Sequence, residues 1–244
     1  MKRAHNNTDR SESSHAILDK KSRIKKAKKI TATIENNINK KPSQLKILEL
    51  GTGSGYMAEF MSKKFKKVCS VDIVDERRVF DDFEFKQAES ELIPYQADEF
   101  DVVISNHVVE HVPDQNLHIS ELKRVVKKDG HIYIATPNKY WITDPHYRLP
   151  FINYLPRQLS NWIIVTTKRG SKWDVYPVSP LWIRKKFSNL QVISVIPFMA
   201  KNQTSYKLDT GIRISTLLKL IPTTLLKGLE VVTPTMIYLI KKTD

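Results

Sequence analysis

Three glycines spaced two residues apart follow a short apolar run, and an acid precedes them. Glu49 stands before Gly51, Gly53 and Gly55 in the stretch ILELGTGSG. Glycines let the backbone turn sharply and approach a ligand that a side chain would exclude, and the helix that follows offers its N-terminal amides. A dinucleotide fingerprint would need glycine where Tyr56 stands. A carboxylate beside this loop suits an ammonium group better than a pyrophosphate.

A second acid follows about twenty residues later, at the position where such folds bind a ribose. Asp72 ends the apolar run KVCSVD, and a carboxylate there can accept hydrogen bonds from both ribose hydroxyls. The two acids together require a nucleoside that carries an amine and no pyrophosphate. S-adenosylmethionine fits that description.

Four stretches of the chain resemble the class I S-adenosylmethionine-dependent methyltransferases: ILELGTGSG, SVDI, QAESELIPYQADEFDVVISNHVVEHV and LKRVVKKDGHIYIATPN. Within that class they are similar to the subgroup of quinone-pathway, small-molecule and glycan O-methyltransferases. The likeness covers residues 44–138 motif by motif. It implies an α/β, Rossmann-like, doubly wound fold with a seven-stranded sheet whose last strand, Met236–Ile240, is antiparallel.

The resemblance also implies which residues contact the cofactor. Glu49 would hold the amino group of the methionine part and Asp72 the ribose, while Asn106 and His107 would lie beside the methionine part and face the acceptor. The family commonly has an acid where Gln87 stands. The other implied positions form the loop under the cofactor or contact its adenine: Gly51, Thr52, Gly53, Gly55, Ile73, Ala88 and Glu89.

Candidates for a catalytic base lie after two apolar runs, Phe100–Ser105 and His131–Thr136, which are the fourth and fifth predicted strands. Methyl transfer from a sulfonium depends largely on alignment, but a hydroxyl acceptor must also lose a proton. His107, Glu110 and His111 in NHVVEHV and His146 in DPHYRLP are the candidates, with Asp144 placed to orient His146. A capping or packing role is the competing interpretation for His111.

A metal site is the alternative use of the same stretch, since Glu110, His111 and Asp114 lie close in sequence and some quinone-pathway relatives use a divalent ion. Adjacent Glu and His side chains point to different faces of a helix, which makes a weak ligand set. We therefore expect no metal.

The pattern of apolar runs predicts the elements that position these residues. From residue 45 to residue 136 short apolar runs alternate with helical stretches, including a short helix near Val79, which is typical of a parallel sheet with crossover helices. Pro137–Ser179 is a long, aromatic connection without predicted structure, and such segments are usually lids or binding segments. We expect it to form the acceptor pocket, and residues 198–234 to form a helical insertion before the last strand.

The amino-terminal part of the chain is strongly basic. The net charge is +14, and residues 1–41 hold twelve Lys or Arg against four acids. Residues 1–12 are predicted to be a disordered tail, residues 13–41 a basic helix capped by Ser13 or Ser14, and residues 42–244 the methyltransferase domain. A basic face attracts nucleic acid, lipid headgroups or acidic substrates, although a solvated face explains it equally well.

The sequence is compatible with several functions and partners. The favoured function is O-methylation of a small or lipid-linked acceptor, a glycan or quinone intermediate. The alternatives are an RNA methyltransferase, and an inactive module that binds a partner or an anionic membrane surface through residues 213–229. The single cysteine and the lack of any apolar run of about 18 residues favour a cytoplasmic protein, associated at most peripherally with a membrane.

Overall fold

The computed structural model describes residues 19–208, 221–222, 226 and 228–243. Its seven strands form one sheet in the order β3-β2-β1-β4-β5-β7-β6, and β7 runs antiparallel to both of its neighbours. The predicted fold, with its antiparallel last strand, is therefore confirmed. The strands are β1 Lys46–Leu50, β2 Lys67–Asp72, β3 Glu84–Gln87, β4 Phe100–Asn106, β5 Val126–Pro137, β6 Gln191–Ser194 and β7 Thr235–Lys241.

Helices cover both faces of the sheet. They are α1 Lys20–Asn37, α2 Tyr56–Ser62, α3 Gln115–Val125, α4 Arg157–Thr166, α5 Pro180–Lys186 and α6 Ile196–Lys201. Among the described residues, none of these helices has the length and apolar character needed to cross a bilayer. The predicted tail, the proposed caps Ser13 and Ser14 and most of the segment 213–229 lie outside the described residues.

The central strands read as continuous apolar runs because helices bury both of their faces. On β1, Leu48 and Leu50 pack with α3 residues such as Leu122 on one side of the sheet. Ile47 points to the other side, where it shares a core with α1 and α2. This two-sided burial holds the carboxyl ends of β1 and β4 next to each other, in the register that pairs Leu50 with Ser105.

Helix α1 begins at Lys20, later than predicted, because the Asp19 carboxylate accepts the backbone N–H of Ser22 and caps the helix. Its apolar face, with Ile30 and Ile34, packs against Met57 and other residues of α2. The basic helix therefore belongs to the same core as the sheet, and it lies beside the loop between β1 and α2.

The predicted helix near Val79 was wrong. The segment between β2 and β3 is irregular, and its backbone bonds to the glycine loop instead of to itself: the Arg78 N–H donates to the Ser54 carbonyl at 3.0 Å. Val79 packs where a side chain on Gly55 would otherwise project. Contact with the loop thus overrides the local helical pattern.

The segment 137–179 is more ordered than predicted. It contains α4 and a 3₁₀ turn at Ile152–Tyr154. It also has a small core of its own, formed by Tyr147, Ile152, Ile164, Trp173 and Val175. This unit, called the lid below, can therefore hold side chains in defined positions.

Candidate functional site

The glycine loop between β1 and α2 has a backbone that only glycine fits without strain. Gly51 has a φ of +78°, and a Cβ added there would lie 2.9 Å from the side chain of Val108. At Gly53, with a φ of +51°, the added Cβ would lie 2.7 Å from the guanidinium of Arg23. The loop is thus held tightly between Val108 on one side and Arg23 of α1 on the other, with its amides at the start of α2.

The Glu49 side chain is fully buried beneath this loop. Its Oε2 accepts a hydrogen bond from Ser70 Oγ at 3.1 Å, while its Oε1 is buried without a hydrogen-bond partner among the described residues. Burial raises the pKa of Glu49 to about 8, although the charge of Arg23 and the bond from Ser70 oppose the shift. A buried carboxylate oxygen with no donor is suited to accept a hydrogen bond from a cationic ligand.

Arg23 is a site residue that the sequence analysis missed. It comes from α1, it is 6% exposed, and its Nη1 lies 3.7 Å from the sulfur of Met57. Burial lowers the pKa of Arg23, and the carboxylates of Glu49 and Asp72 oppose that shift. In the sequence, Arg23 stands among the lysines of a basic helix. Only its packing on the glycine loop distinguishes it from them.

Asp72 organises the other half of the crevice. Its carboxylate accepts the backbone N–H groups of Gly53 and Ile73, each at 2.8 Å. Burial raises the pKa of Asp72, and these backbone donors counter the shift. The side chain of Ile73 is 59% exposed, which is unusual for a large apolar residue beside a cavity and leaves a flat apolar surface for a ring.

A cavity of about 450 Å³ lies between the ends of β1, β2 and β4. The predicted residues that line it are Gly51, Asp72, Ile73, Ala88, Glu89, His107 and His111. The predicted residues outside its lining are Glu49, Thr52, Gly53, Gly55, Asn106 and His146. Glu49 and Gly53 lie on the Arg23 side of the loop, so the crevice has an open part near Asp72 and a closed, charged part under α1.

His107 and Glu110 form a hydrogen-bonded pair at the rim of this crevice. His107 adopts a φ of +57°, and its Nδ1 lies 3.1 Å from Glu110 Oε1. Thr136 Oγ1 donates to the other oxygen of Glu110 at 3.0 Å. Burial opposes ionisation of Glu110, but the hydrogen bond from His107 and the charges of the neighbouring histidines outweigh it and lower the pKa of Glu110 to about 2.

The tertiary structure brings His146 and His111 to the same pair. The Nε2 atom of His146 lies 3.9 Å from Glu110 Oε1, and its ring meets that of His111 edge to face at 4.8 Å. Burial lowers the pKa of His146 to about 4. Asp144 accepts the backbone N–H of His146, so it orients the backbone there. Helix α3 is capped by Asp114, which removes the capping role considered for His111.

These residues also form a set that could hold a metal. Glu110, His111 and His146 each offer one ligand atom, and these atoms lie within 4.8 Å of one another. The sequence-based reason for excluding a metal does not hold, because the ligand atoms of Glu110 and His111 converge and the third donor comes from the lid. Two imidazoles and a carboxylate fit a divalent transition metal, and His146 Nε2 has no hydrogen-bond partner among the described residues.

A family model described as "Methyltransferase domain" matches residues 21–173, which is more than half of the chain and includes both α1 and most of the lid. The chain belongs to this family. It is a class I S-adenosylmethionine-dependent methyltransferase, as the sequence motifs predicted. The family implies the use of S-adenosylmethionine.

The curated relatives of this methyltransferase include ubiquinone biosynthesis O-methyltransferases. It is 29% identical over 106 residues to the ubiquinone biosynthesis O-methyltransferase of Bartonella tribocorum, a match that covers 40% of this chain and 43% of the relative. It is 33% identical over 110 residues to the mitochondrial enzyme of that name from Bos taurus, covering 40% of this chain and 30% of the relative. The matches thus span less than half of the length of these relatives.

Solved structures show the same fold at low identity. A chain in the complex of the Haloferax volcanii Trm112 methyltransferase activator with a methyltransferase superposes with a TM-score of 0.56 at 17% identity, covering 97% of this methyltransferase and all of that chain. An S-adenosylmethionine-dependent methyltransferase from Mesorhizobium loti gives a TM-score of 0.54 at 12% identity, covering 83% and 93% of the two chains.

Proposed function

We propose that this methyltransferase transfers the methyl group of S-adenosylmethionine to a hydroxyl oxygen of a small or lipid-linked acceptor, a quinone intermediate or a glycan. The pairing of His107 with Glu110 beside the cofactor crevice carries the proposal, because it provides a base at the place where the acceptor would lie. The names of the curated relatives support oxygen as the accepting atom.

The charged part of the crevice matches the amino-acid half of the cofactor. Glu49 Oε1 is buried without a donor in the described part of the chain and would accept a hydrogen bond from the cofactor ammonium. Arg23, whose guanidinium lies beside Gly53 and whose charge acts on Glu49, would hold the cofactor carboxylate as a charged donor. Asp72 would accept the ribose hydroxyls, and the exposed side chain of Ile73 would lie against the adenine.

The proton of the acceptor hydroxyl would pass to His107. An ionised carboxylate can only accept hydrogen bonds, so Glu110 fixes the His107 proton on Nδ1 and leaves Nε2 as the basic nitrogen. When bound, S-adenosylmethionine would supply a methyl group activated by its sulfonium, and His107 Nε2 would take the proton that the acceptor hydroxyl loses. A divalent ion held by Glu110, His111 and His146 would lower the pKa of the acceptor hydroxyl.

Replacing Asp72 by Ala is expected to weaken S-adenosylhomocysteine binding by about 100-fold or more, because both the ribose contacts and the bond that orders Gly53 are lost. Calorimetric titration measures the affinity for S-adenosylhomocysteine. Asp75→Ala is the matched control, since Asp75 pairs with Arg77 at the surface. Equal affinity of the Asp72 variant and the wild type would contradict the proposed cofactor site.

A screen with labelled methyl groups then tests the acceptor. Phenolic and glycan hydroxyls, each free and lipid-linked, are compared with a structured RNA. Methylation of a hydroxyl acceptor is the expected result. Transfer to RNA alone would replace the proposed acceptor with the nucleic-acid alternative that the net charge of +14 leaves open.

The lid offers a surface for a lipid-borne acceptor. On α4, Leu159, Trp162 and Val165 are 42%, 62% and 47% exposed and lie on the side opposite buried Ile164. Phe151, which also belongs to the lid, is 59% exposed. Exposed Lys and Arg residues follow at the end of the helix: Lys168, Arg169 and Lys172. Apolar and aromatic side chains beside cations suit the interface of an anionic bilayer, so we assign this face to membrane docking.

Flotation with vesicles tests this docking. The wild type is expected to float with vesicles that contain phosphatidylglycerol, and Trp162→Asp is expected to reduce the bound fraction about tenfold, because it puts a charge into the apolar face. Leu181→Asp is the control, since Leu181 is 71% exposed on α5. If both variants float like the wild type, the lid face does not dock on lipid.

A further inference from the structure

A second cavity, of about 300 Å³, lies inside the lid and apart from the cofactor crevice. The residues that line it are Gln115, Lys139, Ile152, Asn153, Leu155, Arg157, Trp173, Val175, Tyr176 and Pro177. These described lining residues include two cations and no Asp or Glu. The cavity is therefore positively charged, and polar groups line it together with aromatic and aliphatic side chains.

Asn153 gives this cavity a polar group that has no function in the fold. The residue is 6% exposed, and both its Oδ1 and its Nδ2 lack a hydrogen-bond partner among the described residues. Leaving a buried amide without partners is unfavourable, and an apolar residue would fill the 3₁₀ turn at Ile152–Tyr154 without that cost. The side chain is thus placed where a ligand could bond to it.

Arg157 is held in a fixed position at the same cavity. Its Nη2 and Nη1 donate to the carbonyls of Trp173 and Val175 at 2.8 and 3.3 Å. Its guanidinium carbon lies 4.2 Å from the ring centroid of Tyr176. Neutral carbonyls and an aromatic ring orient the guanidinium but do not neutralise its charge, so it remains able to bind an anion.

Hydrogen bonds link the cavity to the turn that carries Glu110. The backbone N–H of Tyr176 donates to the carbonyl of Glu110 at 2.7 Å. The Gln115 side chain donates to the carbonyls of Val109 and Tyr176 at 2.9 and 2.8 Å. Two of the residues that line the cavity are thus bonded directly to the turn that carries the proposed base partner.

We propose that this cavity binds an anionic group, a carboxylate or a phosphate, that is carried by the methyl acceptor. The inference rests on the proposed methyltransferase function. Asn153 Nδ2 and Arg157 donate to the anion oxygens and Lys139 adds its charge, while Trp173 and Tyr176 contact the part of the acceptor next to the anion. Anionic acceptors are therefore selected over neutral ones at a site separate from the cofactor.

Side-chain nuclear magnetic resonance measures this binding directly. Inorganic phosphate and benzoate are titrated separately, at constant ionic strength, into the full protein with labelled nitrogen. The Asn153 amide and the Trp173 indole signals are expected to shift saturably with at least one of the two anions. Saturation with phosphate or with benzoate identifies the anion that the acceptor carries.

Two variants and a control make the test specific. Asn153→Asp keeps the shape of the side chain but repels an anion, and Arg157→Gln removes the charged donor. Each is expected to weaken binding about tenfold or more, the effect of losing one charged hydrogen bond. Lys28→Gln removes a charge of the same sign from a groove beside α1 and is expected to leave the binding unchanged.

The outcomes separate this inference from the proposed function. Shifts that do not saturate with either anion, or that persist in Asn153→Asp, overturn the anion site. S-adenosylhomocysteine binding is measured on the same samples. Cofactor binding without anion binding removes only the present inference, whereas anion binding without cofactor binding contradicts the proposed function.

Discussion

Glu49→Gln is expected to weaken S-adenosylhomocysteine binding about 100-fold at pH 7, because truncating one partner of a buried, hydrogen-bonded charge pair has an effect of that order. Glutamine keeps the shape of the side chain and can still accept the bond from Ser70. It lacks the charge that would face the cofactor ammonium. Calorimetric titration at pH 7 measures the difference.

Proton release adds a second measurement for the same residue. The pKa of Glu49 in the free protein is raised by burial to about 8, so the carboxyl is mostly protonated at pH 7. Binding of an ammonium group requires its ionised form. Titrations in buffers of different ionisation enthalpy are therefore expected to show release of close to one proton by the wild type, and almost none by Glu49→Gln.

The same substitution weakens cofactor binding but is expected to stabilise the folded protein relative to the wild type as the pH rises. The folded pKa of Glu49, about 8, lies above its ordinary value of 4.5, so the wild type loses stability as the pH rises through this interval. Glutamine does not titrate. The melting temperature of Glu49→Gln should therefore rise relative to that of the wild type as the pH increases from 5 to 8.

Glu59→Gln is the matched control for both measurements, since Glu59 lies on α2 and pairs with Lys63 at the surface. It should change neither cofactor affinity nor the pH dependence of stability. If Glu49→Gln binds S-adenosylhomocysteine as tightly as the wild type and releases the same number of protons, Glu49 does not hold the ammonium group.

Glu110→Gln is expected to lower kcat by about 10²- to 10⁴-fold while leaving S-adenosylhomocysteine affinity unchanged, the range typical for loss of general-base catalysis. A glutamine amide can donate to His107 Nδ1, which would place the histidine proton on Nε2, the wrong nitrogen for a base. Steady-state kinetics with the best acceptor from the screen measures kcat, and calorimetry measures the affinity.

His131→Gln is the control for this experiment. His131 lies on β5 between Val102 of β4 and Lys241 of β7, away from Ala135, the β5 residue that pairs with Asn106 near the crevice. Burial lowers its pKa to about 4, as it does for His146. A similar loss of kcat in His131→Gln and Glu110→Gln would mean that the effect is a general one on the fold, and the proposed base would be withdrawn.

A metal at the same cluster is tested separately from activity. Manganese(II) binding, followed by electron paramagnetic resonance, should be lost in Glu110→Gln and His146→Gln if these residues are ligands. Treatment of the wild type with a chelator then shows whether kcat depends on the ion. Full activity after complete removal would leave His107 as the base without a metal.

The part of the site that the sequence alone determined lies within one continuous stretch. Glu49, the glycines and Asp72 belong to two consecutive strands and the loop between them, so their spacing along the chain already places them at one edge of a parallel sheet. The contacts of Glu49 and Asp72 with the cofactor stay predictions. The strand pattern likewise determined the fold, because both faces of the central strands are buried.

Tertiary packing decided what the spacing could not. Arg23 reaches the glycine loop only because the apolar face of α1 packs on α2. His146 meets Glu110 only because the core of the lid holds the segment that carries it against the turn after β4. The helix expected near Val79 gave way to backbone bonds with the loop. Local propensity is weak compared with burial of an apolar face. Packing therefore decides which residues from distant segments come into contact.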